Sequence, residues 1–84
     1  MGVEKLFGKG KYRIISVFLE NKESELHFRE ICRISGLTQP TVLEHLDVLT
    51  ELGFLKVRKN MNQTLYSIDN NNPITEKILR FFEK

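Results

Sequence analysis

One cysteine in 84 residues excludes several chemistries at once. With Cys32 alone there is no internal disulfide, no CxxC redox pair and no zinc site that needs two or more thiolates; beside Ile31 it reads as a small buried hydrophobe. Long apolar runs are also missing. No segment approaches the roughly 20 apolar residues that span a bilayer, and the N-terminus has no apolar stretch behind a basic flank, so a soluble, cytoplasmic protein is expected. Catalytic constellations are equally scarce. The chain offers no carboxylate pair, no nucleophile beside a base and no glycine-rich phosphate loop, and His27 has no second ligand at metal-binding spacing. The expectation is a protein that is not an enzyme and holds neither metal nor cofactor.

What remains fits a single domain over residues 1–84. A chain this short buries only roughly 60 to 65% of its unfolded surface, so it gains from a metal, a disulfide or a partner chain. The first two are excluded, which leaves the partner chain. The net charge of +2 is mild, but its distribution is not. Lys9, Lys11 and Arg13 form one basic cluster and Lys56, Arg58 and Lys59 another, whereas residues 38–52 carry Glu44, Asp47 and Glu51 with no Lys or Arg.

Apolar periodicity lays out the elements. KYRIISVFLE, residues 11–20, places Ile14, Ile15, Phe18 and Leu19 on one face of a first helix, with Lys11 and Arg13 at its N-terminus, where cations oppose the helix dipole. Leu26 to Phe28 allow at most a very short strand. Phe28, Ile31 and Ile34 or Ser35 mark a second helix of about two turns, closed by Gly36. Thr38 is a good N-cap for a third helix, its hydroxyl accepting from a free amide, with Pro40 in the first turn. Val42, Leu46 and Leu49 form that helix's inner stripe, His45 adjoins it as a partly packed, hydrogen-bonded histidine, and Gly53 stops it. FLKVRKN and QTLYSI alternate as a hairpin around Asn60 to Gln63, whose asparagines suit tight-turn angles. ITEKILRFFEK closes the chain as a fourth helix.

A short helix, a tight turn starting at glycine and a longer helix make a helix-turn-helix, and the hairpin after them is its wing. The fold class expected is mainly α (α+β), a winged helix-turn-helix in the order α1-β1-α2-α3-β2-β3-α4. TQPTVLEHLDVLTELGFL resembles the corresponding stretch of the ArsR-type regulators, and ELHFREICRISG resembles the first helix of their motif. That resemblance implies a prokaryotic, homodimeric transcriptional regulator that binds double-stranded DNA, with the helix opening at Thr38 in the major groove and the wing on the backbone. Candidate contacts on the reading helix are Thr38, Gln39, Pro40, Thr41, Leu43, Glu44, His45 and Asp47. Candidates on the wing and backbone are Lys56, Arg58, Lys59, Asn60, Asn62 and Gln63, with Lys9, Lys11 and Arg13.

The departures from the family pattern are specific. Leu43, Glu44 and Asp47 stand where the family usually has Ser, then Arg or His, and later Lys. With Val42 pointing inward, Pro40, Leu43, Glu44, Asp47 and Glu51 share an outward, acidic face. Glu44 can accept from cytosine N4 and Leu43 can touch a thymine methyl, or both simply face water. Lys56 and Arg58 hold phosphates or act as edge-strand charges that prevent strand addition. The paired cysteines and the last-helix Asp and His ligands of ArsR-type metal sensors have no counterpart here.

Residues 73–84 present Ile78, Leu79, Phe81 and Phe82 around much of a short helix, more apolar surface than one small core covers. This is the expected dimerisation helix, helped by Val3, Leu6 and Phe7. An alternative function is a winged-helix module that binds another protein through the acidic face of the third helix.

Overall fold

The computed structural model describes the backbone of residues 3–82 and the side chains of residues 10–82. The elements are α1 (Val3–Leu19), β1 (Leu26–His27), α2 (Phe28–Ser35), α3 (Gln39–Leu52), β2 (Leu55–Asn60), β3 (Gln63–Ile68) and α4 (Pro73–Phe82). This is the winged helix-turn-helix order the sequence implies.

Helix α1 begins at Val3, well before the start expected near Lys11. Gly8 and Gly10 disguise its opening, since each weakens a helix interior by about 1 kcal/mol relative to alanine. Gly10 has a packing role: a Cβ there would come within 2.6 Å of His45 Nε2 on α3. Lys11 and Arg13 therefore lie well inside the helix, and the expected conflict with its N-terminal dipole does not arise. Arg13 instead reaches across to α2, where Nη1 donates to the Ser35 carbonyl at 3.1 Å and satisfies one of the helix's last acceptors. The side chains of Lys9, Val3, Leu6 and Phe7 lie outside the described residues.

Ile14, Ile15 and Phe18 of α1 meet Ile31 of α2 and Val42, Leu46 and Leu49 of α3, all at 0% exposure. Each such side chain contributes roughly 1.5–3 kcal/mol relative to an exposed one, so this triangle of helices is the stable centre on which the outer face of α3 is mounted. Ser35, not Ile34, is the buried partner in α2. Its hydroxyl donates to the Cys32 carbonyl at 3.4 Å and accepts from the Leu37 amide at 3.3 Å, which fixes the turn into α3. Gly36 makes that turn possible at φ 75°, its amide donating to the Cys32 carbonyl. Thr38 caps only with its backbone. Its carbonyl accepts from the Val42 amide, while its hydroxyl is bonded to the Thr41 hydroxyl at 2.9 Å rather than to a free helix amide.

The three strands form an antiparallel sheet in the order β1-β3-β2. Leu26 pairs with Tyr66, and the wing register runs from Leu55↔Ile68 to Asn60↔Gln63. The turn is two residues long, and Met61, not an asparagine, takes the positive φ of 60°. Only Leu55 of β2 is buried; from Lys56 onward the strand stands outside the core.

Helix α4 is absorbed into this body more than its sequence suggests. Ile78 is 4% exposed and belongs to the core of the single chain, so it is not available to an intermolecular seam. The Phe82 ring stacks on Tyr12 with centroids 5.1 Å apart, and Leu79 also packs against the core. Phe81 remains half exposed.

Candidate nucleic-acid interface

The core stripe of α3 fixes what the rest of the helix presents. With Val42, Leu46 and Leu49 buried, Gln39, Pro40, Leu43, Glu44, Asp47 and Glu51 are exposed along the opposite side, as the helical wheel requires. Thr41 is half buried beside Thr38. His45 turns toward α1 rather than outward. Its ring packs against Gly10, and Nδ1 is buried with no hydrogen-bond partner among the described residues, contrary to the satisfied histidine expected. The ring thus lies between α1 and α3.

The wing carries the opposite charge. Residues 53–68 include Lys56, Arg58 and Lys59 and no carboxylate, and all three cations are exposed. Lys56, Lys59, Asn60, Asn62 and Gln63 are all exposed around the hairpin. Arg58 is different. Its Nη2 and Nε donate to Glu25 Oε1 at 2.6 Å and Oε2 at 2.8 Å, a bidentate pair that ties the wing to the loop before β1. The hydrogen bond from Arg58 holds the Glu25 carboxyl below the usual carboxylate range, and the Arg58 guanidinium is pushed up in turn. Because the folded value of Glu25 is depressed, the contribution of the pair is complete above the ordinary carboxylate range. It is lost as pH falls through the folded value.

Between α3 and the wing lies an open cleft of about 510 Å³. It is lined by Leu43 of α3, by Asn62, Gln63 and Thr64 of the wing, and by His27, Phe28, Arg29 and Tyr66. The lining thus combines the apolar side chains of Leu43 and Phe28 with amide, hydroxyl, imidazole and guanidinium groups. The Tyr66 hydroxyl is pushed up, chiefly by burial and further by the Asp47 carboxylate. Sequence reasoning included Leu43, Asn62 and Gln63 among the candidates but missed His27, Arg29, Thr64 and Tyr66. These join the site through the pairing of β1 with β3, in which Leu26 lies opposite Tyr66 and His27 opposite Leu65. Nothing local in LHFRE signals that pairing.

Burial raises the thiol of Cys32, which packs half buried against the core. Among the described residues no group of three or more His, Cys, Asp or Glu side chains is placed to hold a metal ion. No helix among them is long and apolar enough to cross a membrane.

Known structures share this arrangement. The transcriptional repressor BigR from Xylella fastidiosa superposes with a TM-score of 0.75 at 21% identity, over 96% of this chain and 76% of that one. The winged helix-turn-helix DNA-binding domain of Mb0332 from Mycobacterium bovis, solved as a homodimer and described as a possible ArsR-family regulator, gives 0.72 at 15% identity over 95% and 69%. The ferric uptake regulator from Francisella tularensis, solved with iron, gives 0.67 at 18%, covering 76% of this chain; the chain spans 53% of that protein's length. Identities this low establish the fold. Comparison with curated proteins yields no match. The sequence itself goes further than the superpositions: residues 9–57, more than half of the chain and all of the helix-turn-helix, match the family model for bacterial regulatory proteins of the arsR family, and the chain belongs to that family.

Proposed function

We propose that the chain is a sequence-specific, double-stranded DNA-binding transcriptional regulator that acts as a homodimer, within a single domain spanning residues 1–84. The exposed face of α3 enters the major groove, with Gln39, Pro40, Leu43, Glu44 and Asp47 toward base edges and Thr38 and Thr41 at the entry to the helix. Lys56, Lys59, Asn60, Asn62 and Gln63 hold the flanking phosphates, which fix position without reading sequence. The observation that carries this reading is the carboxylate-free, triply cationic wing beside an exposed helix face in a chain of the arsR family. Lys11 and Arg13 lie farther along α1, and Arg13 is already engaged with α2. Dimerisation runs through α4 and the opening turns of α1, with Leu79, Phe81 and Phe82 joined by Val3, Leu6 and Phe7; the homodimeric state of Mb0332 supports it.

Selection from random duplex DNA at two salt concentrations, beside a mass measurement of the free protein, tests both halves. If a dimer neutralises about six phosphates, log K falls against log salt with a slope near −5. The double variant Lys56→Ala/Lys59→Ala flattens that slope by roughly 0.9 for every phosphate it no longer neutralises. A flat response in the parent protein rejects the reading, and a monomeric mass rejects the dimer.

The Glu25–Arg58 pair gives a second expectation. Glu25→Gln removes the charge that holds Arg58, so the guanidinium turns to the phosphates, affinity rises a few-fold, and the slope steepens by about 0.9 per arginine released. An unchanged slope would show that Arg58 stays with the loop.

A further inference from the structure

Tyr66 is only 6% exposed, yet its hydroxyl has no hydrogen-bond partner among the described residues. A phenol this deep in a fold ordinarily has one, because leaving its hydroxyl unbonded costs the desolvation of a polar group. Nor is the oxygen sealed in, as His45 Nδ1 and Thr50 Oγ1 are. The sheet explains the position: Tyr66 of β3 lies between Leu26 of β1 and Val57 of β2, so its ring joins the core. The same residue lines the cleft of about 510 Å³, and the free hydroxyl opens there. A second feature converges on this cleft. His27, Phe28 and Arg29, which also line it, are the N-cap and first two residues of α2. The first amides of a helix have no partner within it and form its positive end. Glu30 accepts from the His27 amide at 3.1 Å, and neither it nor any other carboxylate lines the cleft. Arg29 is exposed and pairs with no carboxylate among the described residues.

These groups define a ligand. A guanidinium beside a helix N-terminus suits a carboxylate, which it can hold by two parallel hydrogen bonds. Because burial pushes the Tyr66 hydroxyl up, it stays protonated and donates. Phe28 and Leu43 offer apolar surface for a flat ring. The volume is that of a small-molecule site, in which a few polar groups orient a largely apolar body. We propose that the cleft between α2, α3 and the wing binds a small aromatic carboxylate, with the acid group at Arg29 and the first turn of α2, the ring against Phe28 and Leu43, and the Tyr66 hydroxyl donating to it. Leu43, Asn62 and Gln63 belong both to this cleft and to the surface assigned to DNA, so acid and duplex exclude one another and the acid acts as an effector. That regulatory half rests on the proposed DNA binding; the binding site itself does not.

The test titrates the full, nitrogen-15-labelled chain with 2-naphthoate and follows the amide shifts by NMR. The probe binds with a Kd on the order of 0.1–1 mM, as a ligand of its size allows, and the largest shifts fall at Phe28, Arg29, Gln63 and Thr64. Acetate, which has the charge without the ring, and 2-naphthamide, which has the ring without the charge, each bind roughly ten-fold more weakly or worse. Tyr66→Phe keeps the ring and removes only the oxygen; it weakens 2-naphthoate by about 5- to 10-fold while Tm holds or rises, since a hydroxyl without a partner adds nothing to the fold. Arg29→Gln brings 2-naphthoate down to the level of 2-naphthamide and leaves 2-naphthamide unchanged. Shifts centred elsewhere, equal binding of acid and amide, or variants that bind the acid within two-fold of wild type overturn the site. With a duplex selected by the protein, 2-naphthoate at about ten times its Kd weakens DNA binding on the order of ten-fold, and Arg29→Gln abolishes that response. Unchanged DNA affinity with the cleft occupied overturns the effector role. A chain that binds the acid in the cleft but binds no duplex overturns the functional reading while upholding the site.

Discussion

Replacing Glu44 and Asp47 together by lysine is expected to raise affinity for any duplex by about 10- to 100-fold near physiological salt, and to reduce discrimination between duplexes. Both carboxylates are exposed on the outward side of α3, and no Lys or Arg lies between residues 38 and 52 to neutralise them. A unit charge 4 Å from another is worth about 1 kcal/mol in bulk water and about 4 at an effective dielectric of 20. Screening over a Debye length of about 10 Å favours the lower value for an exposed helix, so the reversals contribute on the order of 1 kcal/mol per protomer and about 1.4–2.7 kcal/mol for the dimer. Anisotropy titrations across salt measure the effect: the variant's slope steepens as more counterions are released. Glu44 can accept from cytosine N4, and that contact disappears with the carboxylate, so the gain is in affinity for DNA in general.

The acidic face thereby acquires a purpose. On the proposed reading, phosphate contacts from the wing would attract the protein to every sequence alike, while the carboxylates on α3 would penalise every site where they find no base-edge donor. Specificity is a difference of affinities, and repulsion widens it. The competing reading, in which α3 meets a basic protein, predicts the reverse outcome: DNA affinity stays where it was and the protein complex dissociates. One pair of substitutions separates the two.

The helix-turn-helix was legible because its signals are local. Gly36 and Gly53 sit at φ 75° and 95°, where the sequence places helix ends, and the Val42, Leu46, Leu49 stripe is fully buried. The wing was legible from alternation. Non-local pairing defeated the rest. Arg58 reads as a free cation on an exposed strand, yet its partner Glu25 lies 33 positions away in a segment with no pattern of its own. Ile78 reads as surplus apolar surface in a helix considered alone, and only the packing of α4 on the core accounts for it. The opening of α1 was hidden by Gly8 and Gly10, of which Gly10 is required by a histidine 35 positions later (45 − 10). The cleft lining at His27, Arg29 and Tyr66 depends on a two-residue strand, too short for periodicity to register.

Gly53→Ala is expected to be the most destabilising conservative change in the chain, by about 2–4 kcal/mol, with Tm falling on the order of 15 °C in a domain this size. Two effects combine. At φ 95° a Cβ is strained, and an added Cβ overlaps the side-chain amide of Asn72. That amide cannot move without consequence, because its Oδ1 accepts the Ile74 amide at 3.0 Å and so caps α4. The buried Thr75 hydroxyl donates to the Asp69 carbonyl at 2.6 Å and lies 3.4 Å from the Gly53 carbonyl, which brings the end of α3 against the start of α4. Gly36→Ala serves as the comparison. Its φ of 75° is also left-handed, but the nearest atom to its Cβ is Arg13 Nη1 at 4.0 Å, so it loses only the backbone term of about 1–2 kcal/mol. Thermal melts of the two single variants, of Asn72→Ala and of Gly53→Ala/Asn72→Ala close the cycle. With the amide gone the added methyl has room, so the double variant is less destabilised than the sum of its parts. Strict additivity would instead mean that α3 and α4 end and begin independently, and that Gly53 is kept for its backbone angle alone.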